Sequence, residues 1–192
     1  MNTLDAIALR RSIRRFKKEP LPRELVERVL AATVQAPSAK NAQPWRFVVL
    51  EGERNDHLAR MMLETATRLK GEGADIGSLA WTARTMLEAP LTIVVFNTTP
   101  PAEVPAEFHD DWYWVMVQSN GGAIQTMLLA AQDLGLGSLW ICDILYAHDE
   151  VCEWLGHPNE RIVAAVTLGY ANEAPGPRPR RPWQDVTEWE SA

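Results

Sequence analysis

Arginine and serine side chains alternate near the N-terminus, in the segment RRSIRRF that runs from Arg10 to Phe16. Because successive side chains of an extended chain point to opposite sides, Arg10, Ser12 and Arg14 share one side of such a segment. A guanidinium group donates hydrogen bonds in a planar fork and stays charged, so two of them beside a hydroxyl suit a phosphate or another anionic group. A solvated basic run is the alternative for a segment of this composition.

A second polar stretch, PSAKNAQPW, begins at Pro37 and leads into an apolar run. Its composition is typical of a turn, and Ser38, Asn41 and Gln43 contribute one hydroxyl and two amides. Hydroxyl and amide groups both donate and accept hydrogen bonds, so a short loop that carries them can bind a polar ligand. Taken alone, the loop also fits a plain connection between a helix and a strand.

Positive charge is concentrated in two places although the chain as a whole is acidic. The 192 residues carry a formal net charge of −6, yet nine of the 19 basic residues fall in segments 10–18 and 178–181. The net charge argues against general binding to nucleic acids or membranes, whereas a local basic cluster predicts a small anionic ligand. The length and the 46% of hydrophobic residues predict one domain with its own core.

The chain has neither a long apolar run nor, at its N-terminus, the basic-then-apolar pattern of a signal peptide. We therefore expect a cytoplasmic protein that does not enter a membrane. Cys142 and Cys152 are the only cysteines, and we expect both thiols to stay reduced in that compartment. We further expect Cys142 to be buried in a strand and therefore unreactive.

Periodicity and turn residues predict a mixture of helices and strands. Apolar residues at helical spacing predict helices over 2–9, 22–35, 56–70, 79–88, 115–134 and 149–155. Alternating or continuous short apolar runs predict strands over 46–51, 91–96, 138–142 and 161–170. The glycine-rich segment 71–77 follows a helix rather than a strand and has the wrong spacing for a dinucleotide-binding loop, so we predict a flexible connection.

Side chains alone offer no complete catalytic apparatus in this sequence. The four histidines are scattered without ligand spacing, and the serines lack the context of an activated nucleophile. A reaction carried out by this chain would therefore depend on a bound cofactor.

RRSIRRF, followed about twenty residues later by PSAKNAQPWRF, resembles the FMN-dependent nitroreductase family over nearly the whole chain. The resemblance implies an α+β fold with a mainly antiparallel central sheet flanked by helices. It also implies an intertwined homodimer with FMN at the interface. Residues 1–174 would form the FMN-binding domain, and residues 175–192 would form a C-terminal arm that crosses onto the partner subunit.

The same resemblance assigns roles to the basic residues. Arg10 and Ser12 would meet the phosphate and ribityl end of FMN, with Arg11 close by. Arg14 would reach the pyrimidine edge of the flavin, where a cation stabilises the negative charge that reduction places at N1. Arg178 and Arg180 match the basic pair that completes the phosphate site.

Two further segments have counterparts in the family. The partner subunit would supply the loop residues Pro37, Ser38, Ala39, Asn41 and Gln43. The segment Trp140, Ile141 and Cys142 would run under the flavin ring and present backbone N–H groups near N5 and O4. Many relatives have glycine where Cys142 or Asp143 stands, so side chains here could narrow the site.

The function implied is transfer of a hydride from NAD(P)H through flavin N5 to an electron-poor acceptor such as a nitroaromatic or a quinone, by a ping-pong mechanism. No side chain is assigned as a catalytic acid or base. Dehalogenation and dehydrogenation by a family member are alternatives, as is a protein that holds FMN with little turnover, as a reservoir or regulator. A flavin-free dimer that binds another phosphorylated ligand is a third hypothesis.

Three adjacent aromatic residues, Trp112, Tyr113 and Trp114, precede the longest predicted helix. They cannot all face the same way on a regular element, so at least one is expected to lie outside the main core. In the resembled fold this segment lies near the opening to the flavin. Trp112 or Trp114 would then line the acceptor pocket, unless the cluster only packs beneath the neighbouring loop.

Overall fold

A computed structural model of the chain describes residues 1–98 and 105–190. Its helices are α1 Thr3–Leu9, α2 Arg23–Thr33, α3 Glu53–Gly71, α4 Leu79–Glu88, α5 His109–Asp133 and α6 His148–Leu155. Its strands are β1 Trp45–Glu51, β2 Leu91–Asn97, β3 Gly137–Ile141 and β4 Arg161–Gly169. Short 3₁₀ turns cover Ala39–Asn41, Ala106–Phe108, Asp143–Ala147 and Trp183–Val186. Pro100 and Pro101 predict a loop, because proline cannot join the interior of a sheet, and they fall outside the described residues.

The four strands form one antiparallel sheet in the order β1-β2-β4-β3. The continuous apolar run LTIVVF makes β2 a central strand, buried along its whole length. Ile93 and Val95 pack toward α2 and α5, while Val94 and Phe96 pack toward α3, α4 and α6. A strand covered on both faces needs apolar side chains at every position, which explains the pattern. The predicted α+β fold with an antiparallel sheet is therefore confirmed.

Two helices begin earlier than their periodicity predicts. α3 starts at Glu53 because Gly52, with a φ of +53°, turns the chain directly into the helix. α5 starts at His109 rather than at Val115. Asp110 and Asp111 lie in its first turn, where negative charge stabilises the positive end of the helix dipole. The aromatic cluster therefore belongs to the first turns of α5, and the prediction that it precedes the helix is wrong.

The N-terminal basic segment lies beside the edge strand β3. Ser12 forms a parallel bridge with Ser138, and the backbone N–H of Ile13 donates to the Ser138 carbonyl at 2.9 Å. Further along, Phe16 forms an antiparallel bridge with Ala171, just beyond β4. The segment is thus paired to the sheet at both ends, so its side chains have set directions.

Two paired glycines make room for this segment. Gly137 of β3 lies opposite Gly169 of β4. A Cβ atom on Gly137 would lie 3.0 Å from the side chain of Ile13, and one on Gly169 would lie 2.9 Å from Phe16. At Gly169 a Cβ atom would also lie 2.6 Å from Pro90, so a larger residue at either position would require its neighbours to shift. Among the described residues, no helix is both long enough and apolar enough to cross a membrane.

Candidate functional site

An open cleft of about 550 Å³ lies where α1, the segment after it and the C-terminal tail meet. Six predicted site residues line this cleft: Arg10, Arg11, Ser12, Arg14, Arg178 and Arg180. We call it the arginine cleft. The structure therefore brings together two basic segments that lie at opposite ends of the sequence.

The charges in the arginine cleft repel one another. Burial, followed by the nearby charges of Arg180 and Arg11, lowers the pKa of Arg10 from its ordinary value. Across residues 1–98 and 105–190, no carboxylate forms an ion pair with any of the five cleft arginines. A cluster of cations without counter-charges favours the binding of an anion, because the anion relieves the repulsion.

Local hydrogen bonds direct the N-terminal arginines. Asn2 caps α1 by accepting the backbone N–H of Asp5 at 2.9 Å, and the helix ends at Leu9. Arg11 donates from Nη1 to the carbonyl oxygens of Ala8 and Arg10, both at 2.8 Å. A cation at the C-terminal end of a helix is favoured by the helix dipole. Arg11 is thereby turned back onto α1.

Arg14 is held by two contacts. Its Nη1 donates to the Ser12 carbonyl at 3.1 Å, and its guanidinium carbon lies 5.3 Å from the centre of the Trp81 ring. A guanidinium over an indole face is attracted by the ring quadrupole, at about 0.5–1 kcal/mol for an exposed pair. Trp81 belongs to α4 and is 50% exposed. Local sequence patterns do not indicate a role for this residue. The contact gives Arg14 a defined orientation.

The C-terminal tail has few contacts within its own chain. Residues 174 and 176–190 are exposed. Among the described residues, Arg180 donates to the backbone carbonyls of Arg178 and Pro179, at 3.4 and 3.2 Å, and to no other acceptor. Its largest apolar side chains, Trp183 and Trp189, are 59% and 82% exposed. The tail therefore presents both its charges and its aromatic rings outward.

Hydrogen bonds tie the predicted loop to itself and to α5. Ser38 Oγ accepts the backbone N–H of Gln43 at 2.9 Å, and the N–H of Ala39 donates to Ser119 Oγ of α5 at 3.3 Å. Pro37 opens the loop just ahead of these contacts. The loop is thus attached to the helix layer that also carries the aromatic cluster.

Three residues of this loop have backbone conformations that are unusual for side chains other than glycine. Lys40, Asn41 and Gln43 have φ values of +52°, +54° and +47°. Such conformations carry a cost and persist only where the surroundings impose them, which is most common at functional sites. Three such residues in one short loop favour a functional role for the loop over that of a plain helix-to-strand connection.

The loop and the arginine cleft lie at diagonally opposite corners of the sheet. The loop leads into Trp45, which pairs with Asn97 at the end of the sheet where β4 begins at Arg161. The basic segment pairs with Ser138, at the other end and beside the other edge strand. One chain therefore does not bring these two predicted parts of the site together.

The segment at the end of β3 is not part of the lining of the arginine cleft. Trp140 is partly buried and Ile141 fully buried in the sheet, whereas Cys142 is an exposed free thiol. The prediction of a buried strand cysteine is wrong, because β3 ends at Ile141 and the chain turns into a 3₁₀ helix. Partial burial of the sulfur and the nearby Asp143 carboxylate raise the pKa of the Cys142 thiol. It is consequently a poor nucleophile at neutral pH.

Asp143 is anchored rather than projecting freely. Its Oδ2 accepts hydrogen bonds from Ser78 Oγ and Thr82 Oγ1, both at 2.6 Å. These donors lie at and just after the start of α4, the helix that carries Trp81. The first turns of α4 therefore contact both Arg14 and the segment after β3, a connection that local sequence patterns do not reveal.

The three aromatic residues at the start of α5 point in different directions, as expected. Lys40 Nζ lies 5.4 Å from the centre of the Trp112 ring, and the Arg161 guanidinium carbon lies 4.9 Å from that of Tyr113. Trp114 is 64% exposed. Trp112 thus contacts the strained loop, while Trp114 is open to solvent.

The described residues contain no cluster of His, Cys, Asp and Glu side chains that could hold a metal ion. Cys152 lies 3.7 Å from His148 Nε2 but is buried, and burial raises the pKa of its thiol. The arginine cleft is therefore the strongest candidate for ligand binding in the described structure.

Comparison with known proteins agrees with these features. Residues 7–170 match the model of the nitroreductase family. A Methanothermobacter thermautotrophicus protein provisionally named NADH dehydrogenase/NAD(P)H nitroreductase is 32% identical over 182 residues, which cover 93% of this chain and 82% of the relative. The iodotyrosine deiodinase of Thermotoga neapolitana is 30% identical over 192 residues, which cover 95% and 94%.

A solved structure shows the same architecture. The crystal structure of a nitroreductase with bound FMN from Desulfitobacterium hafniense superposes with a TM-score of 0.74 at 28% identity, and the match covers 100% of both chains. The family match covers the basic segment, the polar loop and all four strands. The chain therefore belongs to the nitroreductase family.

Proposed function

We propose that this protein is an FMN-dependent oxidoreductase that uses NAD(P)H to reduce an electron-poor acceptor such as a nitroaromatic or a quinone. The observation that carries the proposal is the arginine cleft, in which five arginines lack counter-charges among the described residues. A phosphate monoester brings a charge of about −2 and several acceptor oxygens, which match this donor set. The FMN bound in a relative's structure and the NAD(P)H in a relative's name support the same conclusion.

Five residues of the cleft have a task in this proposal. Arg10 and Ser12, with Arg178 and Arg180, hold the phosphate, and Arg14 faces the pyrimidine edge of the ring. Bound FMN would supply hydride transfer from the reduced nicotinamide to the acceptor. The chain itself contributes binding, orientation and a positive charge that favours the reduced ring. No acidic or basic side chain is required for this transfer.

We further propose that two copies of the chain complete each site. The polar loop lies at the corner of the sheet opposite the arginine cleft of its own chain, so a second copy must supply the loop that closes a given cleft. Exposed apolar side chains support an association of this kind: Leu4, Ile7 and Leu9 on α1, and Trp183 and Trp189 on the tail.

Absorbance and anaerobic reduction test the proposal. The purified protein should be yellow, with close to one FMN per subunit, and NADH or NADPH should bleach the flavin band rapidly. A protein that binds FMN but is bleached only slowly is a reservoir or regulator. A colourless protein that does not take up added FMN uses its arginines for another phosphorylated ligand, and the proposal is then wrong.

Reductive dehalogenation is a second candidate, because a relative that matches almost the whole chain is named iodotyrosine deiodinase. The two reactions are separated by the acceptor. The reduced protein should be mixed anaerobically with a nitroarene, with a quinone and with iodotyrosine. Fast reoxidation by iodotyrosine with release of iodide would favour the deiodinase activity, whereas fast reoxidation by the nitroarene or the quinone alone would favour the main proposal.

A further inference from the structure

Glu173 joins the N-terminal basic segment to the start of the C-terminal tail. Its Oε1 accepts the backbone N–H of Arg14 and, at 3.2 Å, that of Arg15. The adjacent Asn172 donates its N–H to the Arg15 carbonyl at 2.9 Å. Glu173 is partly buried, so these bonds are only partly exposed to competition from water.

Because of the position of Glu173 in the chain, these bonds connect the N-terminal side of the arginine cleft to its tail side. Arg14 belongs to the N-terminal lining of the arginine cleft, and the tail lining begins at Pro175. After Ala171 the tail has no further pairing with the sheet. Among the described residues, no other side chain hydrogen-bonds the segment 10–15 to the residues after 171.

The two sides of the cleft repel each other, since Arg10 and Arg180 are close enough for their charges to lower the pKa of Arg10. Without the Glu173 side chain, backbone pairing would hold the tail only as far as Asn172, and the residues beyond it would be free to move away from this repulsion. A carboxylate bonded to the backbone, rather than to a guanidinium, holds the tail in place and leaves the N–H donors of the guanidinium groups available to a ligand. We propose that Glu173 is a positioning residue, which sets the two arginine segments at the separation that a phosphate requires. This inference rests on the proposed function.

Three substitutions of Glu173 separate its role as a hydrogen-bond acceptor from the effect of its negative charge. Glu173→Gln keeps an oxygen that can accept both N–H groups and removes the negative charge. Glu173→Ala removes the acceptor, and Glu173→Asp keeps the charge but shortens the side chain by one methylene. If the acceptor positions the arginines, the glutamine variant should behave like the parent protein, and the other two should not.

Binding of FMN and of riboflavin to the apoprotein provides the test, since riboflavin lacks the phosphate. We expect Glu173→Ala to weaken FMN binding about tenfold or more, equivalent to about 1.4 kcal/mol, and riboflavin binding less than twofold. Glu173→Asp should lie between, and Glu173→Gln should stay within about threefold of the parent. Glu188 is an exposed glutamate of the same tail. Glu188→Ala is therefore the matched control and should change neither the FMN affinity nor the riboflavin affinity.

The outcomes separate this inference from the proposed function. If the parent protein does not bind FMN more tightly than riboflavin, the phosphate site itself is wrong, and the role of Glu173 falls with it. If the parent prefers FMN and Glu173→Ala keeps the same preference, the proposed function stands and the inference is wrong. A parallel fall in both affinities would indicate a general structural role and would also overturn it. If the alanine variant does not fold, the affinities for FMN and riboflavin are compared in Glu173→Asp instead.

Discussion

Arg14 lines the arginine cleft with a charged side chain that is also held in one orientation. The hydrogen bond to the Ser12 carbonyl and the contact with the Trp81 ring hold the guanidinium in one direction. The direction of its guanidinium group in the arginine cleft is therefore fixed by these contacts and not by charge alone. If Arg14 lies at the pyrimidine edge, its charge should affect electron transfer more than binding.

We predict that Arg14→Ala lowers the flavin midpoint potential by about 30 mV or more, which for two electrons corresponds to about 1.4 kcal/mol. Reduction by the nicotinamide should slow more than FMN affinity falls, because the positive charge favours the reduced ring. Spectroelectrochemistry and stopped-flow absorbance measure the two effects. Trp81→Leu is the control for orientation, since it keeps the charge and removes the ring. Unchanged reduction with a collapse of FMN affinity would make Arg14 a phosphate ligand instead.

At the scale of elements, the tail combines two features that can be separated. Its arginines lie before Pro182, while its exposed tryptophans, Trp183 and Trp189, lie after it. Arg178 and Arg180 of the first group line the arginine cleft, and the tryptophans have no contact that would explain their apolar character within the described chain.

Deletion of residues 175–192 should release FMN and weaken the dimer, because both groups are lost. Deletion of residues 183–192 alone should weaken the dimer and leave most of the phosphate contacts in place. Flavin content after gel filtration and sedimentation at several protein concentrations measure the two effects. Full flavin occupancy in the longer deletion would exclude Arg178 and Arg180 as phosphate ligands.

The start of α5 offers the other element-scale prediction. An aromatic ring at the acceptor pocket would stack on a planar acceptor, worth about 0.5–1.5 kcal/mol beyond its buried area. Trp114→Ala should therefore raise the apparent KM for nitroarenes or quinones several-fold and leave flavin reduction unchanged. Trp112→Ala should do the same if Trp112 lines the pocket, although loss of its contact with Lys40 also loosens the loop.

Stability measurements decide between the two interpretations of this aromatic cluster. If neither substitution alters acceptor kinetics and both lower the melting temperature, the rings serve to pack the loop against α5. Residues outside the aromatic cluster would then line the acceptor pocket. The first turns of α4 are the next region to test, since Trp81 is half exposed there and contacts Arg14.

At the scale of the whole molecule, the diagonal arrangement of loop and cleft predicts sharing between subunits. A subunit with Arg10→Ala has a defective cleft, and one with Asn41→Ala has a defective loop. A dimer of one of each contains one site built from the intact cleft and the intact loop. In a two-fold dimer, random mixing should therefore restore about a quarter of the parent activity from two poorly active preparations.

Mixing each variant with itself provides the baseline for this experiment, and subunit exchange is monitored by differently tagged chains. If mixing restores nothing while heterodimers form, the loop and cleft of a single chain act together. That result would contradict the shared site, although FMN binding by the arginine cleft could still hold.

Local sequence patterns were sufficient for most of the secondary structure. The uninterrupted apolar run of β2 and the alternation in β4 identify strands, because burial on each face requires apolar side chains at set intervals. α4 was predicted with its observed bounds, Leu79–Glu88. The starts of α3 and α5 are not predicted, since the residues before each apolar stripe lack a helical period: they are polar in α3 and include three adjacent aromatic residues in α5. They are helical only because the chain continues into a packed helix.

The sequence by itself also determined the chemical groups available: arginines in two short segments, a serine within the first of these segments, and a polar loop. Only the tertiary structure decided which of these groups meet. Gly137 and Gly169 admit Ile13 and Phe16 against the sheet, and this close approach places the two arginine segments on one cleft. The end of β3 at Ile141 exposes Cys142, and the strand order places the loop at the opposite corner. These outcomes depend on contacts between residues far apart in the chain, and no local periodicity encodes such distances.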